Sequence, residues 1–289
     1  MDVPECKSGD PPETANPGQG VDRGMNDDRF ELTVLGTRGS MAVSGPDYAL
    51  FGGATSCYMI RAGQETIFLD GGSGIIGAPT RFDRAPSILL SHFHLDHVIG
   101  LPMYPRLLEK GTETILYCPA LTVKGAKEIL DGVFSPPLWP LSLTDYTGTI
   151  TLRTMPRRFR IGNVSVETMP GFHPGGAVVM RLENEGKSLV YATDCEPDEK
   201  GLEALATFSK DADLLLFDGQ YTEEEYGKRV GFGHATAAMG RELLERSGAK
   251  QLLLIHHDPQ RTDAELLAIE KKLGPDNMRF AREGEIICL

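Results

Sequence analysis

Basic charge is scarce in this chain of 289 residues: 29 Lys and Arg face 41 Asp and Glu, for a net charge of -12. A broad nucleic-acid surface needs clustered Lys and Arg to displace counterions, so an extended polyanion is not the expected partner. A short basic cluster at 153–160, RTMPRRFR, reads instead as a solvated face or an edge strand. No apolar run approaches the roughly 20 residues that span a bilayer, so no membrane segment is expected. The start also lacks a basic stretch followed by an apolar one, which argues against export by that route. Cysteines are few, odd in number and without paired spacing: Cys6, Cys57, Cys118, Cys195 and Cys288. That usage favours a reducing cytoplasm over a disulfide framework. Large apolar side chains are nearly missing from residues 1–29, which are rich in Pro, Gly and Asp. Such a segment buries too little surface to order itself and reads as a flexible tail, with Met25 as a candidate natural start.

The rest is ordinary globular material, 40% hydrophobic and 24% charged over the whole chain. From Phe30 onward, short β-branched and aliphatic runs alternate with turns. FELTVLG (30–36), SCYMIRAG (56–63) and ETIFLD (65–70) read as successive strands. SILLS (87–91) and TILYC (114–118) are nearly all apolar, as in strands buried on both faces. A second half repeats the style at 164–169, 177–183, 188–194, 213–218 and 251–256. Helical periodicity covers 120–131, 200–208, 235–247 and 263–273, the last opening with a capping box from Thr262 to Glu265 and stopping at Gly274. Two strand-rich halves with interleaved helices predict two sheets packed face to face and covered outside by helices. No linker interrupts 30–289, which counts as one domain.

Only seven histidines exist, and three of them fall in the six residues HFHLDH at 92–97. Alternate residues of an extended chain share a face, so His92 and His94 point the same way beyond SILLS. A turn through Leu95 brings Asp96 and His97 to the same space from the start of a helix. Imidazoles and a carboxylate at this density suit zinc, iron or manganese. The competing reading is a set of surface or hydrogen-bonded histidines, which a lone His would favour. Further polar residues close apolar runs: His173 in PGFHPGG, Asp194 in LVYATD, Asp218 in LLLFD and His256 in LLLIH. Singly, each is as well explained by a capped turn or a satisfied polar group.

Together these residues resemble the metallo-β-lactamase superfamily, whose H-x-H-x-D-H motif is matched by HFHLDH. The resemblance is closer to its phosphodiesterase and tRNase Z branch, through LGTRGS (35–40), GGATSCY (52–58), HPGG (173–176), FDGQYTEEEY (217–226), GFGHATAA (231–238) and IHHDP (255–259). It spans about residues 30–289. The fold it implies is α/β, a four-layer αββα sandwich, and the cofactor is a pair of divalent metal ions, zinc first, with manganese or iron as alternatives. By that resemblance His92, His94 and His173 hold one ion, Asp96, His97 and His256 hold the other, and Asp194 bridges them. Asp96 counts among the catalytic groups as well as the ligands. His257 is expected as an outer-sphere or surface group, and Cys195 as structural.

Two divalent ions bring about +4, two Asp ligands remove 2 and a bridging hydroxide 1, leaving about +1 at the site. A locally positive site in an acidic protein suits a small anionic phosphodiester, a cyclic nucleotide being the leading candidate. Two metals lower the pKa of a bridging water and orient it for in-line attack on phosphorus. The leaving alkoxide then needs a proton, and His234 fits that role, in a glycine-flanked turn before a helix N-terminus. The tRNase Z-like relatives place a catalytic His here in a His-Ser-Thr motif, paired with an acid at the position of Asp218. This chain reads His234-Ala235-Thr236, which weakens the claim on tRNA without touching the histidine. The bland alternative leaves His234 as a helix-start residue without chemistry. DGGSG (70–74) reads equally as a tight turn or as a wrap around the metals. GVFSPPLWPLS (132–142) reads as a stiff packed loop. Competing functions are a tRNA 3′-processing endonuclease, a lactone or thioester hydrolase, and, last, a metal-bound sensor. A homodimer is left open.

Overall fold

Strands that are apolar at every position need cover on both faces, and the chain provides it in four layers. The computed structural model describes residues 29–274 and 276–289; the expected tail over 1–29, Met25 included, lies outside these except for Arg29. The first half forms β1 (Phe30–Gly36), β2 (Cys57–Ala62), β3 (Glu65–Leu69), β4 (Ser87–Leu89), β5 (Glu113–Cys118) and β6 (Thr149–Thr154). The second half forms β7 (Arg158–Ile161), β8 (Val164–Pro170), β9 (Val178–Asn184), β10 (Lys187–Ala192), β11 (Leu214–Asp218), β12 (Leu252–Ile255) and β13 (Met278–Phe280). A last strand, β14 (Ile286–Cys288), returns to pair antiparallel with β1. The two seven-stranded sheets run β14-β1-β2-β3-β4-β5-β6 and β13-β12-β11-β10-β9-β8-β7.

Strand alternation assigns the layers. In β10 to β12, Leu189, Tyr191, Leu214, Leu216, Leu253 and Ile255 face inward to meet Leu32, Ile60, Ile67 and Leu69 of the first sheet. Their neighbours Val190, Ala192, Leu215, Phe217, Leu252 and Leu254 face outward. That outer face is covered by α4 (Glu199–Phe208), α6 (Ala237–Ser247) and α7 (Asp263–Glu270). On the other side α1 (Leu95–Val98), α2 (Pro105–Leu108) and α3 (Val123–Val133) cover the first sheet, and α5 (Glu223–Tyr226) lies between β11 and α6 in the chain. Each fully buried large apolar side chain stabilises by about 1.5–3 kcal/mol, whereas helix propensity differs by under about 1 kcal/mol per residue. Packing between layers therefore outweighs local preference. No helix among the described residues is long and apolar enough to cross a membrane.

Several boundaries differ from expectation. The Thr262–Glu265 capping box is present, but α7 stops at Glu270 rather than running to 273. The strand before His92 ends at Leu89, so His92 and His94 sit in a connecting segment, and His94 is the N-cap of α1. The basic cluster at 153–160 spans the end of β6 and the start of β7, the outermost strands of the two sheets. The 132–142 loop packs on the outer layer, where the Trp139 indole donates to the Tyr146 hydroxyl at 2.8 Å. Cys57, Cys118 and Cys195 are free and buried.

Candidate active site

β10, β11 and β12 run parallel, so their carboxyl ends open on one edge. Asp194 follows β10, Asp218 ends β11 and His256 follows β12, which brings three residues far apart in sequence to one place. The first sheet adds His92, His94, Asp96 and His97 beyond β4, and the turn after β8 adds His173. Asp70, Asp194 and His256 take left-handed backbone conformations, with φ of 62°, 46° and 60°. Such conformations are costly for residues with a Cβ and gather where side chains must be aimed.

The expected ligands fall into two sets that share Asp194: His92, His94 and His173 in one, and Asp96, His97 and His256 in the other. In the second set, His97 Nε2 lies 3.2 Å from Asp96 Oδ2 and 3.1 Å from Asp194 Oδ1. His256 Nε2 lies 3.1 Å and 3.2 Å from the same two oxygens. In the first set, His92 Nε2 and His173 Nε2 lie 3.5 Å and 3.7 Å from Asp194 Oδ2, and His173 Nε2 lies 3.1 Å from His94 Nδ1. Ligands about 2.0–2.1 Å from a tetrahedral ion stand roughly 3.3 Å from one another, so both sets have the spacing of a coordination shell. One oxygen of Asp194 faces each set. The buried Nε2 atoms of His92 and His97 have no hydrogen-bond partner. Unpaired ring nitrogens in a buried site are what a pair of divalent cations would satisfy, and the donor set suits them.

The opposite nitrogens are tied down. His97 Nδ1 meets Asp70 Oδ2 at 2.7 Å, His92 Nδ1 meets Ser91 Oγ at 3.0 Å, His173 Nδ1 meets the Gly233 carbonyl at 2.9 Å, and His256 Nδ1 meets Gln220 Oε1 at 2.9 Å. These partners fix each ring with Nε2 facing inward. Asp70 also accepts from Ser91 N–H at 2.6 Å, Ser91 Oγ at 2.8 Å and the Tyr191 hydroxyl at 2.6 Å. The sequence leaves 70–74 equally open to a tight turn and to a wrap around the metals, and gives no sign of the parts played by Ser91, Gln220 and Tyr191.

Burial and charge act strongly here. Burial lowers His92 to about 2, helped by charge on His97. Burial would also lower His256, but Asp194, Asp96 and Asp218 outweigh it and push it up to about 9. His97 is held well above the usual range by Asp96, Asp194 and Asp70 against its burial. Burial would raise the Asp96 carboxyl, yet His97 and His256 hold it far below the ordinary range. The buried carboxylates thus demand positive charge, and without cations the demand falls on imidazole protons.

His234 and Asp218 stand beside this cluster. Asp218 Oδ2 lies 2.8 Å from His234 Nδ1, while Oδ1 accepts the N–H of Gln220 at 3.0 Å and of Ala235 at 3.3 Å. The His234 ring stacks on His256 at 4.8 Å and tilts over His173 at 5.2 Å. His257 is not a surface group: it is fully buried, hydrogen-bonds the Ala281 carbonyl at 2.9 Å through Nε2 and packs edge-on to Phe51 and Phe280. Cys195 is fully buried in the outer core.

A family model for the β-lactamase superfamily domain matches residues 67–257. The probable metallo-hydrolase YhfI of Bacillus subtilis (strain 168) is 24% identical over 256 residues, covering 81% of this chain and 92% of that protein. Ribonuclease Z of Methanosarcina acetivorans is 27% identical over 283 residues, covering 81% of this chain and 89% of that enzyme. The crystal structure of the metallo-β-lactamase fold protein YhfI from Bacillus subtilis superposes with a TM-score of 0.70 at 19% identity, over 91% of this chain and 100% of that one. The family match covers the parallel strands whose ends carry the histidines and aspartates, and the four layers agree with it. The chain belongs to the metallo-β-lactamase superfamily, on its phosphodiesterase and tRNase Z-like branch, and is a metal-dependent hydrolase.

Proposed function

We propose that the protein hydrolyses a small phosphodiester at a dinuclear centre held by His92, His94, Asp96, His97, His173, Asp194 and His256, with zinc as the first candidate metal. The observation that carries this reading is the Asp218–His234 pair at 2.8 Å, set against the ligand histidines. When bound, two divalent ions supply Lewis acidity and an activated water. This chain's residues do the rest. Asp218 accepts a hydrogen bond from the Nδ1–H of His234, which orients the ring so that Nε2–H can hand its proton to a leaving alkoxide. A lactone or thioester hydrolase gains less from such a donor, because attack on an acyl carbon chiefly needs stabilisation of the developing oxyanion. The net charge of -12 favours a compact anion over a long one. The test is a panel of alkyl and aryl phosphodiesters, a phosphomonoester, a lactone and a thioester, offered to protein of measured metal content. Turnover confined to diesters is expected; preference for the lactone or thioester would remove the phosphodiesterase assignment.

A second reading is cleavage of RNA near a tRNA 3′ end. It is favoured by the likeness to ribonuclease Z of Methanosarcina acetivorans. Precursor tRNA in the same panel separates the two.

A further inference from the structure

His234 reaches the site on the turn Gly231–Phe232–Gly233, whose last carbonyl also anchors His173 at 2.9 Å. Both glycines have positive φ, 89° and 93°, which residues with a Cβ rarely adopt. A Cβ on Gly233 would stand 2.1 Å from His173 Nδ1, so the backbone is pressed directly on that ring. The turn has little packing of its own: Val230 and Phe232 are 63% and 61% exposed. Something else must hold it.

That holder is the Glu196 carboxylate. Its Oε1 accepts the Gly231 N–H at 2.7 Å and its Oε2 the Gly233 N–H at 2.6 Å, one oxygen for each glycine. Short bonds to an ionised acceptor are stronger than neutral ones, and two of them fix direction as well as distance. The Tyr226 hydroxyl lies close to the same carboxylate. Glu196 is itself anchored, since its N–H donates to the Phe172 carbonyl at 2.8 Å, next to His173. The preceding residues reach the same chemistry: Cys195 N–H donates to Asp218 Oδ2 at 3.4 Å, and Asp194 stands between the two ligand sets.

We propose that Glu196 is a positioning residue that clamps the Gly231–Phe232–Gly233 turn and thereby fixes His234, and secondarily His173, for catalysis. The proposal rests on the reading of His234 as proton donor to the leaving group. Because Gly231 and Phe232 are exposed and only Gly233 is buried, the clamp governs placement of the donor more than stability of the fold.

The test uses Glu196→Ala and Glu196→Gln; the amide keeps the shape but turns an NH2 group toward one of the two glycine N–H groups, so it remains informative where the Ala variant fails to fold. In metal-free protein, the Gly231 and Gly233 amides of the Ala variant should exchange about 10–100-fold faster, the worth of a hydrogen bond to a charged group, while core amides such as Leu216 hold. At saturating metal, Glu196→Ala should slow an alkyl phosphodiester more than its p-nitrophenyl analogue. In a His234→Ala background, Glu196→Ala should add almost nothing. Unchanged glycine exchange, equal slowing of both esters, or full additivity with His234→Ala would each overturn the clamp. If His234→Ala alone fails to discriminate between the esters, the proton-donor reading falls and takes this proposal with it. If His234→Ala discriminates and Glu196→Ala does not, only the clamp falls.

Discussion

Asp70 Oδ2 lies 2.7 Å from Nδ1 of His97, and this contact turns the opposite nitrogen toward Asp96 and Asp194. Outer partners of ligating histidines typically carry 10–100-fold in metal affinity, by about that range on removal. Asp70→Asn should therefore weaken metal binding by about that factor, because an NH2 group replaces one of two oxygens that both accept and cannot take over the bonds from His97, Ser91 and Tyr191. Competition with a chromogenic chelator measures it; wild-type affinity in the variant would make Asp70 a purely structural carboxylate.

The uneven legibility of the site has a physical origin. HFHLDH stands out because candidate ligands that share one short segment leave a dense local pattern. Asp194 and His256 were suggested by their place after apolar runs, which parallel strands convert into a common edge. Ser91 and Gln220 carry no such pattern, since one polar residue beside an apolar run looks the same whether or not it holds an imidazole, and Asp70, which closes ETIFLD, meets His97 and Tyr191 only through contacts distant in sequence. Likewise the interior strands announced themselves by apolar runs buried on both faces. The edge and terminal strands β6, β7, β13 and β14 carry mixed sequence and were missed as strands or read only as a basic edge.

Two glycines should respond in opposite directions. A Cβ at Gly39 would lie 2.3 Å from the His256 ring, so Gly39→Ala must displace that ring or the strand end beneath it. Overpacking of this kind costs about 1–3 kcal/mol. Gly132, within α3, has open space around it, and Gly132→Ala should stabilise by about 0.5–1 kcal/mol. Thermal melts of both variants decide the signs, and metal content should fall only in the first.

The two ligand sets differ in exposure: His94 is exposed, whereas Asp96, His97 and His256 are all buried. Graded chelation should release one ion first, from the set containing His94. His94→Ala should retain about one ion per chain, and Asp194→Ala should retain neither tightly, since one oxygen of this carboxylate faces each set. Elemental analysis after gel filtration reads the counts. Two tightly held ions in Asp194→Ala would reject the bridging role.

Burial pushes the Cys118 thiol up to about 12, and Cys57 is raised by burial and then by Asp70. At pH 8, a thiol with such a pKa is about one part in 10⁴ thiolate, and only the thiolate attacks. Native protein should thus react with a thiol reagent at Cys57, Cys118 and Cys195 only as fast as it unfolds. Peptide mapping of labelled protein checks this; rapid native labelling at any of the three would mean local opening of the core.

His234→Ala removes the group assigned to protonate the leaving alkoxide, and general acid help is typically worth about 10²–10⁴ in rate. The loss depends on how much the leaving group needs a proton. An alkyl or cyclic phosphodiester should slow by about that factor, and a p-nitrophenyl ester much less, because nitrophenolate departs unaided. Metal content should stay unchanged, since His234 Nδ1 is engaged by Asp218 and the ring stacks beside His256 rather than replacing it. Asp218→Asn should give the same pattern at smaller amplitude, as the carboxylate only orients the imidazole. Equal slowing of both ester types with metals retained would show that His234 places the substrate and does not donate the proton.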